Sequence, residues 1–304
     1  MVKVQKNKCS DDLCSQQIEL FVYHLQVEKN YADNTASAYQ GDLAKLLAFC
    51  QGKNVAEWCD VDAKMLNLFV MELRHANSSN RSIRRHLSSI RGFFAFLLRL
   101  GVLSENCAKD ISSPKIEHTL PKTIDYDELG KMMKPRSNRF DELRNVAIVE
   151  LIYSCALRVS ELVSIDINDM DFKEGFVKVM GKGAKARFVP VGQSAIVAIK
   201  RYLSKRPVCE SNALFVNQKQ KRVGVRSVQN IIKQRALDVG ITFNVHPHML
   251  RHAAATHFLQ SSHDLRSVQE FLGHKSIKST QVYTHLDFLE LSKVYDSCHP
   301  RAKK

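Results

Sequence analysis

Apolar positions along the first third of the chain repeat with a helical period. Ile18, Phe21, Val22 and Leu25 occupy i, i+3, i+4 and i+7 of one face. A second helix is expected with Asn34 or Thr35 as its cap and Tyr39, Leu43, Leu46, Leu47 and Cys50 as its apolar side. A third runs near Asp62 to His75, carrying Met65, Leu66, Phe69, Val70 and Leu73. A fourth follows the polar cluster Asn77–Asn80 and stops near Gly101. Residues from about 102 lose this periodicity and hold Ser112, Ser113, Pro114 and Pro121, a linker composition. The pattern then resumes with helices at Asp125–Met133 and Asp141–Ser154 and a strand pair at Phe176–Met180 and Arg187–Val191. More helices follow at Val225–Val239, Pro247–Gln260 and Asp264–Phe271. The expected fold is mainly α. A four-helix domain spans 11–105, a linker 106–122, and a second helical domain with a small antiparallel sheet 123–304.

The fourth helix is unusual in its polar side. Ile83, Leu87, Ile90, Phe94, Leu97 and Leu98 share one face, while Arg81, Arg84, Arg85, Arg91 and Arg99 surround Ser88 and Gly92 on the other. A solvated face normally mixes signs, and this one has no acid. Phosphate contact by Arg81, Arg84, Arg85 and Arg91 is expected, with small residues letting the helix approach a duplex closely. A merely solvated face is the alternative.

Charge strengthens that reading. The 304 residues include 45 Lys and Arg against 31 Asp and Glu, a net charge of +14. Such an excess favours polyanions through attraction and counterion release. The eight cysteines form no C-x-x-C pair, which argues against a zinc-finger spacing or a disulfide framework. The basic N-terminus is not followed by an apolar run, and the longest such run, Phe93–Leu98, stops at Arg99. No secretory signal and no membrane insertion are therefore expected, and a cytoplasmic location follows by default.

Four segments of the second domain collect Arg, Lys, His and Tyr. In Ala156-Leu157-Arg158-Val159-Ser160-Glu161-Leu162, Arg158 follows an apolar stretch, so its guanidinium needs an anion: Glu161, or a phosphate. In Gly181-Lys182-Gly183-Ala184-Lys185-Ala186-Arg187, two glycines allow a tight hairpin turn. Four positive charges fall between Lys178 and Arg187 with no acid, and Lys182 is followed by glycine instead of Ser or Thr. That excludes a nucleotide-binding P-loop and leaves a basic tip suited to a DNA groove, or a solvated turn. The run His246-Pro247-His248-Met249-Leu250-Arg251-His252 raises the question of zinc, but no glutamate follows His248 as it does in H-E-x-x-H, so no metal is assigned. Pro247 suits the first turn of a helix, which sets His248 and Arg251 on one side near its N-terminus, a place that favours phosphate. Last come Leu272-Gly273-His274 and Thr280-Gln281-Val282-Tyr283-Thr284-His285.

The ordered set Arg158, Lys182, His248-x-x-Arg251, Leu272-Gly273-His274 and Tyr283, nine residues later, resembles the catalytic signature of tyrosine recombinases and integrases. The likeness covers nearly the whole chain. It implies a SAM-like, core-binding N-terminal domain that grips double-stranded DNA together with the catalytic domain. It also implies Tyr283 as the nucleophile, attacking phosphorus to form a 3′-phosphotyrosyl link and free a 5′-hydroxyl. Arg158 and Arg251 would clamp the phosphate, and Lys182 would protonate the leaving oxygen. His248 would assist proton transfer at the tyrosine, His274 would donate to the phosphate, and Glu161 would orient the His248 side. Lys185, Arg187 and Arg226 are the further expected DNA contacts. No metal or other cofactor is required. Met249 and Ala255 depart from the usual H-x-L-R-H-x-x-A-T-H residues, at positions that do not react.

The end of the chain, through His299-Pro300-Arg301-Ala302-Lys303, resembles the Xer recombinases of bacterial chromosome-dimer resolution. That implies a XerD-type partner in a heterotetramer, a dif-like site and an FtsK-type translocase. Leu286, Leu289, Val294 and Tyr295 give the tail an apolar side that must be buried. Docking into a neighbouring protomer is expected, and packing on its own domain is the alternative. A phage or transposon integrase shares the set. A type IB topoisomerase shares the chemistry without the tail, and an architectural DNA-binding protein would explain the charge alone.

Overall fold

A computed structural model of the chain describes residues 2–29, 31–115, 123–181, 186–272, 294–295 and 298–302. The chain divides into two compact units, Met1–Leu120 and Pro121–Lys304.

The first unit consists of α1 (Val2–Val27), α2 (Asp33–Gly52), a 3₁₀ turn (Trp58–Asp60), α3 (Ala63–His75) and α4 (Asn80–Arg99). Its core is assembled from the apolar faces legible in the sequence. Ile18, Phe21 and Leu25 of α1 meet Leu43 and Leu46 of α2, Leu66 and Phe69 of α3, and Ile83, Leu87, Ile90, Phe93, Phe94 and Leu97 of α4. Trp58 is fully buried and meets Phe93 edge-on at 5.2 Å. Asp62 caps α3 by accepting the Met65 N–H at 2.7 Å, and Ser79 caps α4 by accepting from Ser82 at 3.2 Å. The expected cap of α2 at Asn34 or Thr35 is not formed. That helix starts at Asp33 after Ala32 without a side-chain cap, and the Asp33 carboxylate stands in the first turn, where the helix dipole favours it. Gly101 takes φ +73 just beyond α4.

The stretch read as linker from residue 106 is partly folded. Ala108 and Ile111 are buried in the first core. Arg91 binds the segment down: Nε donates to the Ala108 carbonyl at 3.0 Å, Nη1 to the Ser113 hydroxyl at 3.2 Å, and Nη2 to the Ile111 carbonyl.

The second unit runs α5 (Tyr126–Met132), α6 (Phe140–Ser154), α7 (Val159–Ser164), β1 (Met170–Asp171), β2 (Phe176–Met180), β3 (Ala186–Pro190), α8 (Gln193–Leu203), α9 (Val225–Asp238), α10 (Pro247–Ser262) and α11 (Leu265–Leu272). The sheet is antiparallel in the order β1-β2-β3, with Val177 opposite Val189 and Val179 opposite Arg187. From Val146 to Ser154 every residue of α6 is buried, as expected of a central helix with neighbours on all sides. It packs against α8 and α10. Helix α8 carries the helical period, burying Ala195, Ile196, Ile199 and Tyr202, whereas the six residues of α7 are too few to show one. Among the described residues, no helix is long and apolar enough to cross a membrane.

In this single chain the described residues of the tail pack on their own domain. Tyr295 is fully buried, with its ring 5.7 Å from Phe271 and 6.2 Å from Phe258. Arg301 pairs with the buried Glu150. Of that apolar side, Val294 and Tyr295 join the core of the second unit. Leu286 and Leu289 lie outside the described residues.

Candidate active site

The site is built on the turn between α6 and α7. Ala156, fully buried there, has φ +45. A left-handed conformation costs a residue with a side chain about 1–2 kcal/mol, so the surroundings impose it. The turn places Arg158 as the residue before α7 and aims the Ala156 carbonyl at Nη1 of Arg251. A branched side chain suits neither this backbone nor this packing. Ala156→Val is expected to lower stability by about 2 kcal/mol in equilibrium urea unfolding, whereas Ala156→Gly keeps the turn.

Glu161, in the first turn of α7, gathers three arginines. It accepts the Arg158 backbone N–H at 2.9 Å and Arg158 Nη1 at 2.8 Å. Arg187 of β3 grips it with Nη1 at 2.8 Å and Nη2 at 3.1 Å, and Arg251 Nη1 stands 4.0 Å away. Arg251, from α10, also donates Nη2 to the Leu272 carbonyl at 2.6 Å, which ties α10 to the end of α11. Burial pushes the Glu161 carboxyl up, but the Arg187 hydrogen bonds, the Arg158 backbone N–H and the guanidinium charges outweigh it and hold the group below the usual carboxylate range. Burial, and then the charge of Arg158, push Arg251 down to about 10.

One carboxylate thus faces three guanidiniums, two of them with side chains only 10% exposed. The cluster carries an uncompensated positive excess in a low-dielectric setting. A bound anion would relieve it, and the Arg158 side chain, 38% exposed, keeps that excess within reach of solvent. His248 is exposed in the first turn of α10, behind Pro247 at the helix start.

Several expectations change. Glu161 has its hydrogen bonds and ion pairs with arginines, not with His248. Arg187 is turned inward onto Glu161 and is not an open DNA contact. Alternation along β3 carries that signal, since Arg187 falls on the face of the buried Val189. On α4, Arg91 is committed to the carbonyls of its own unit, and Arg85 donates Nε and Nη2 to the buried Asp42 at 3.0 and 2.8 Å. Gly92 makes room for the neighbouring helix, since a Cβ there would stand 3.4 Å from the Phe21 ring. Ser88 bonds Tyr39 at 3.2 Å. Arg81, Arg84 and, on α9, Arg226 are exposed. Lys182, Lys185, His274 and Tyr283 lie outside the described residues.

Two family models match the chain: "Phage integrase, N-terminal SAM-like domain" over residues 18–101 and "Phage integrase family" over residues 122–290. The chain belongs to the phage integrase family. It is a site-specific tyrosine recombinase. It is 43% identical to tyrosine recombinase XerC of Pseudomonas syringae pv. syringae (strain B728a) over 292 residues, 95% of this chain and 97% of the relative. To XerC of Shigella flexneri serotype 5b (strain 8401) it is 39% identical over 289 residues, 94% and 97% of the two chains. Its fold is similar to that of XerH recombinase in a post-cleavage complex with a palindromic difH substrate, with a TM-score of 0.67 and 23% identity over 93% of this chain and 84% of that one. A lambda integrase tetramer bound to a Holliday junction gives a TM-score of 0.68 at 15% identity, covering 88% and 80%. In this recombinase the motif arginines, Arg158 and Arg251, both face the Glu161 cluster.

Proposed function

We propose that this recombinase cuts and rejoins double-stranded DNA through a 3′-phosphotyrosyl link at Tyr283. The observation that carries the reading is the positive excess around Glu161, supplied in part by Arg158 and Arg251. The Tyr283 phenol oxygen attacks the scissile phosphorus, and its proton leaves with help from His248. The bond from phosphorus to the 5′ oxygen breaks, and that oxygen takes a proton from Lys182. Arg158 and Arg251 neutralise the non-bridging oxygens as charge develops, and His274 adds a hydrogen bond there. A 5′-hydroxyl from the partner strand then reverses the step, so the link conserves the bond energy and neither nucleotide nor metal is consumed. Glu161 holds the arginines in place.

The 43% identity to XerC over 95% of the chain supports a narrower role. In that role the protein acts in the cytoplasm with a XerD-type recombinase as a heterotetramer. It works at a dif-like site under an FtsK-type translocase and converts chromosome dimers to monomers during cell division. Exposed Arg81, Arg84 and Arg226, together with Lys185, contact the duplex backbone. Replacing Arg81 and Arg84 by alanine is expected to weaken binding to all sequences and to lower the salt slope by roughly one unit per lost contact. An unchanged slope would place that face of α4 in solvent.

The whole reading is tested with a nicked suicide substrate carrying the chromosomal dimer-resolution site, incubated with and without the partner recombinase. A covalent adduct whose linked peptide maps to Tyr283 is expected. DNA binding without any adduct would reduce the protein to an architectural role, and adduct formation only on phage or transposon attachment sites would move it to an integrase.

A further inference from the structure

The tail reaches the root of the turn that carries Arg158 and receives Arg251. Ser154, the last residue of α6, is fully buried, and its hydroxyl accepts the Gly192 N–H at 2.9 Å. The Tyr295 hydroxyl lies 2.7 Å from Ser154 Oγ and donates to the Ser154 carbonyl at 3.0 Å. A tyrosine hydroxyl has one proton, so that bond to the carbonyl leaves Ser154 Oγ as the donor of the shorter contact. The result is a linked set: Gly192 N–H to Ser154 Oγ, Ser154 O–H to Tyr295, Tyr295 O–H back to the Ser154 backbone. The tail is pressed close on this point. A Cβ at Gly192 would run into the Arg301 carbonyl and come within 2.8 Å of the Tyr295 hydroxyl. His299 stacks on the Tyr295 ring at 4.5 Å and 16°.

Two residues beyond Ser154 the Ala156 carbonyl receives Arg251, and four beyond it stands Arg158. The root of the strained turn is therefore pegged from both sides by groups distant in sequence. We propose that Ser154 and Tyr295 are positioning residues for DNA cleavage, fixing the turn whose Ala156 carbonyl aims Arg251 at the phosphate. This rests on the reading that Arg158 and Arg251 hold the scissile phosphate. Neither Ser154 nor Tyr295 touches the reacting atoms. Their work is to keep the turn from relaxing toward an ordinary backbone, which would swing the Ala156 carbonyl and release one guanidinium N–H.

The test is single-turnover cleavage by full-length protein on two suicide substrates. One carries the normal phosphodiester. The other has a methyl group in place of one non-bridging oxygen, so that its scissile phosphorus is neutral and asks less of the arginines. Tyr295→Phe keeps the ring and loses only the hydroxyl. DNA affinity is expected to stay within about twofold, while cleavage of the normal substrate falls about tenfold, within the loss that an ångström of misplacement can cause. On the neutral substrate the gap from the parent closes. Ser154→Ala and Gly192→Ala, which crowds the tail off its seat, show the same signature. Unchanged cleavage, or equal slowing on both substrates, overturns the proposal, because a general packing defect does not distinguish the phosphate's charge. Arg251→Ala separates the two readings. If it cuts the normal substrate at the parent rate, the arginine clamp itself is wrong. If it is slow while Tyr295→Phe is not, the clamp stands and only the positioning role fails.

Discussion

Lys182→Ala is expected to cut its site about 10²- to 10⁴-fold more slowly than the parent while binding DNA nearly as well. The reason lies in the leaving group. A deoxyribose 5′ oxygen departs poorly as an alkoxide, so a proton must arrive as the bond to phosphorus breaks. Lys182 sits between Gly181 and Gly183, and the paired residues Met180 and Ala186 close the β2–β3 ladder on either side of this short stretch. The resemblance to recombinases is what assigns that proton to Lys182. A substrate with sulfur at the bridging 5′ position separates proton donation from simple charge attraction. A thiolate leaves without protonation, so the alanine variant should regain cleavage on it. Slow cleavage of both substrates would assign the proton to another group and leave Lys182 as a phosphate contact.

Glu161→Ala should cost about 3–5 kcal/mol in unfolding free energy, the scale seen when one partner of a buried ion pair is removed. The loss is larger than for a surface acid because three guanidiniums lose their shared counter-charge and two of them cannot turn to water. The gap between parent and variant also depends on pH. The Glu161 carboxyl is held below its ordinary range in the folded protein, so its contribution is complete above the unfolded value. It fades as pH falls through the lower folded value. Urea unfolding from about pH 7 down to about pH 3 should therefore show the two proteins converging in acid. A constant gap across that range would mean that Glu161 acts through packing and not through charge.

Much of the architecture is legible from apolar spacing. The faces of α1 to α4, the stop at Gly101 and the start of α10 at Pro247 follow from local rules that need no knowledge of distant residues. Arg158 and Arg251 are legible through their motif, and the Arg158–Glu161 contact through its three-residue spacing. What escapes is the destination of long side chains. Arg91 lies on the polar side of its helix yet reaches carbonyls 17 and 20 residues away, which no periodicity reveals. Arg187 meets Glu161 across 26 residues, with strand alternation as the sole hint. Ser154 and Tyr295 are 141 residues apart, and nothing local to either points to the other. Tallying basic residues therefore overstates the surface open to DNA, because a guanidinium can satisfy its own protein as well as a phosphate.

Sharing one carboxylate among three cations also governs how this enzyme can be altered. Positions 158, 161, 187 and 251 form a single epistatic block, in which a change at one resets the worth of the other three. Lysine is no substitute for Arg187, whose two-nitrogen grip it cannot reproduce. Libraries aimed at new recombination sites would lose most members by drawing on that block. The exposed arginines at 81, 84 and 226 stand outside it, so on the proposed DNA-binding role diversity placed there would reshape duplex recognition while leaving the block intact.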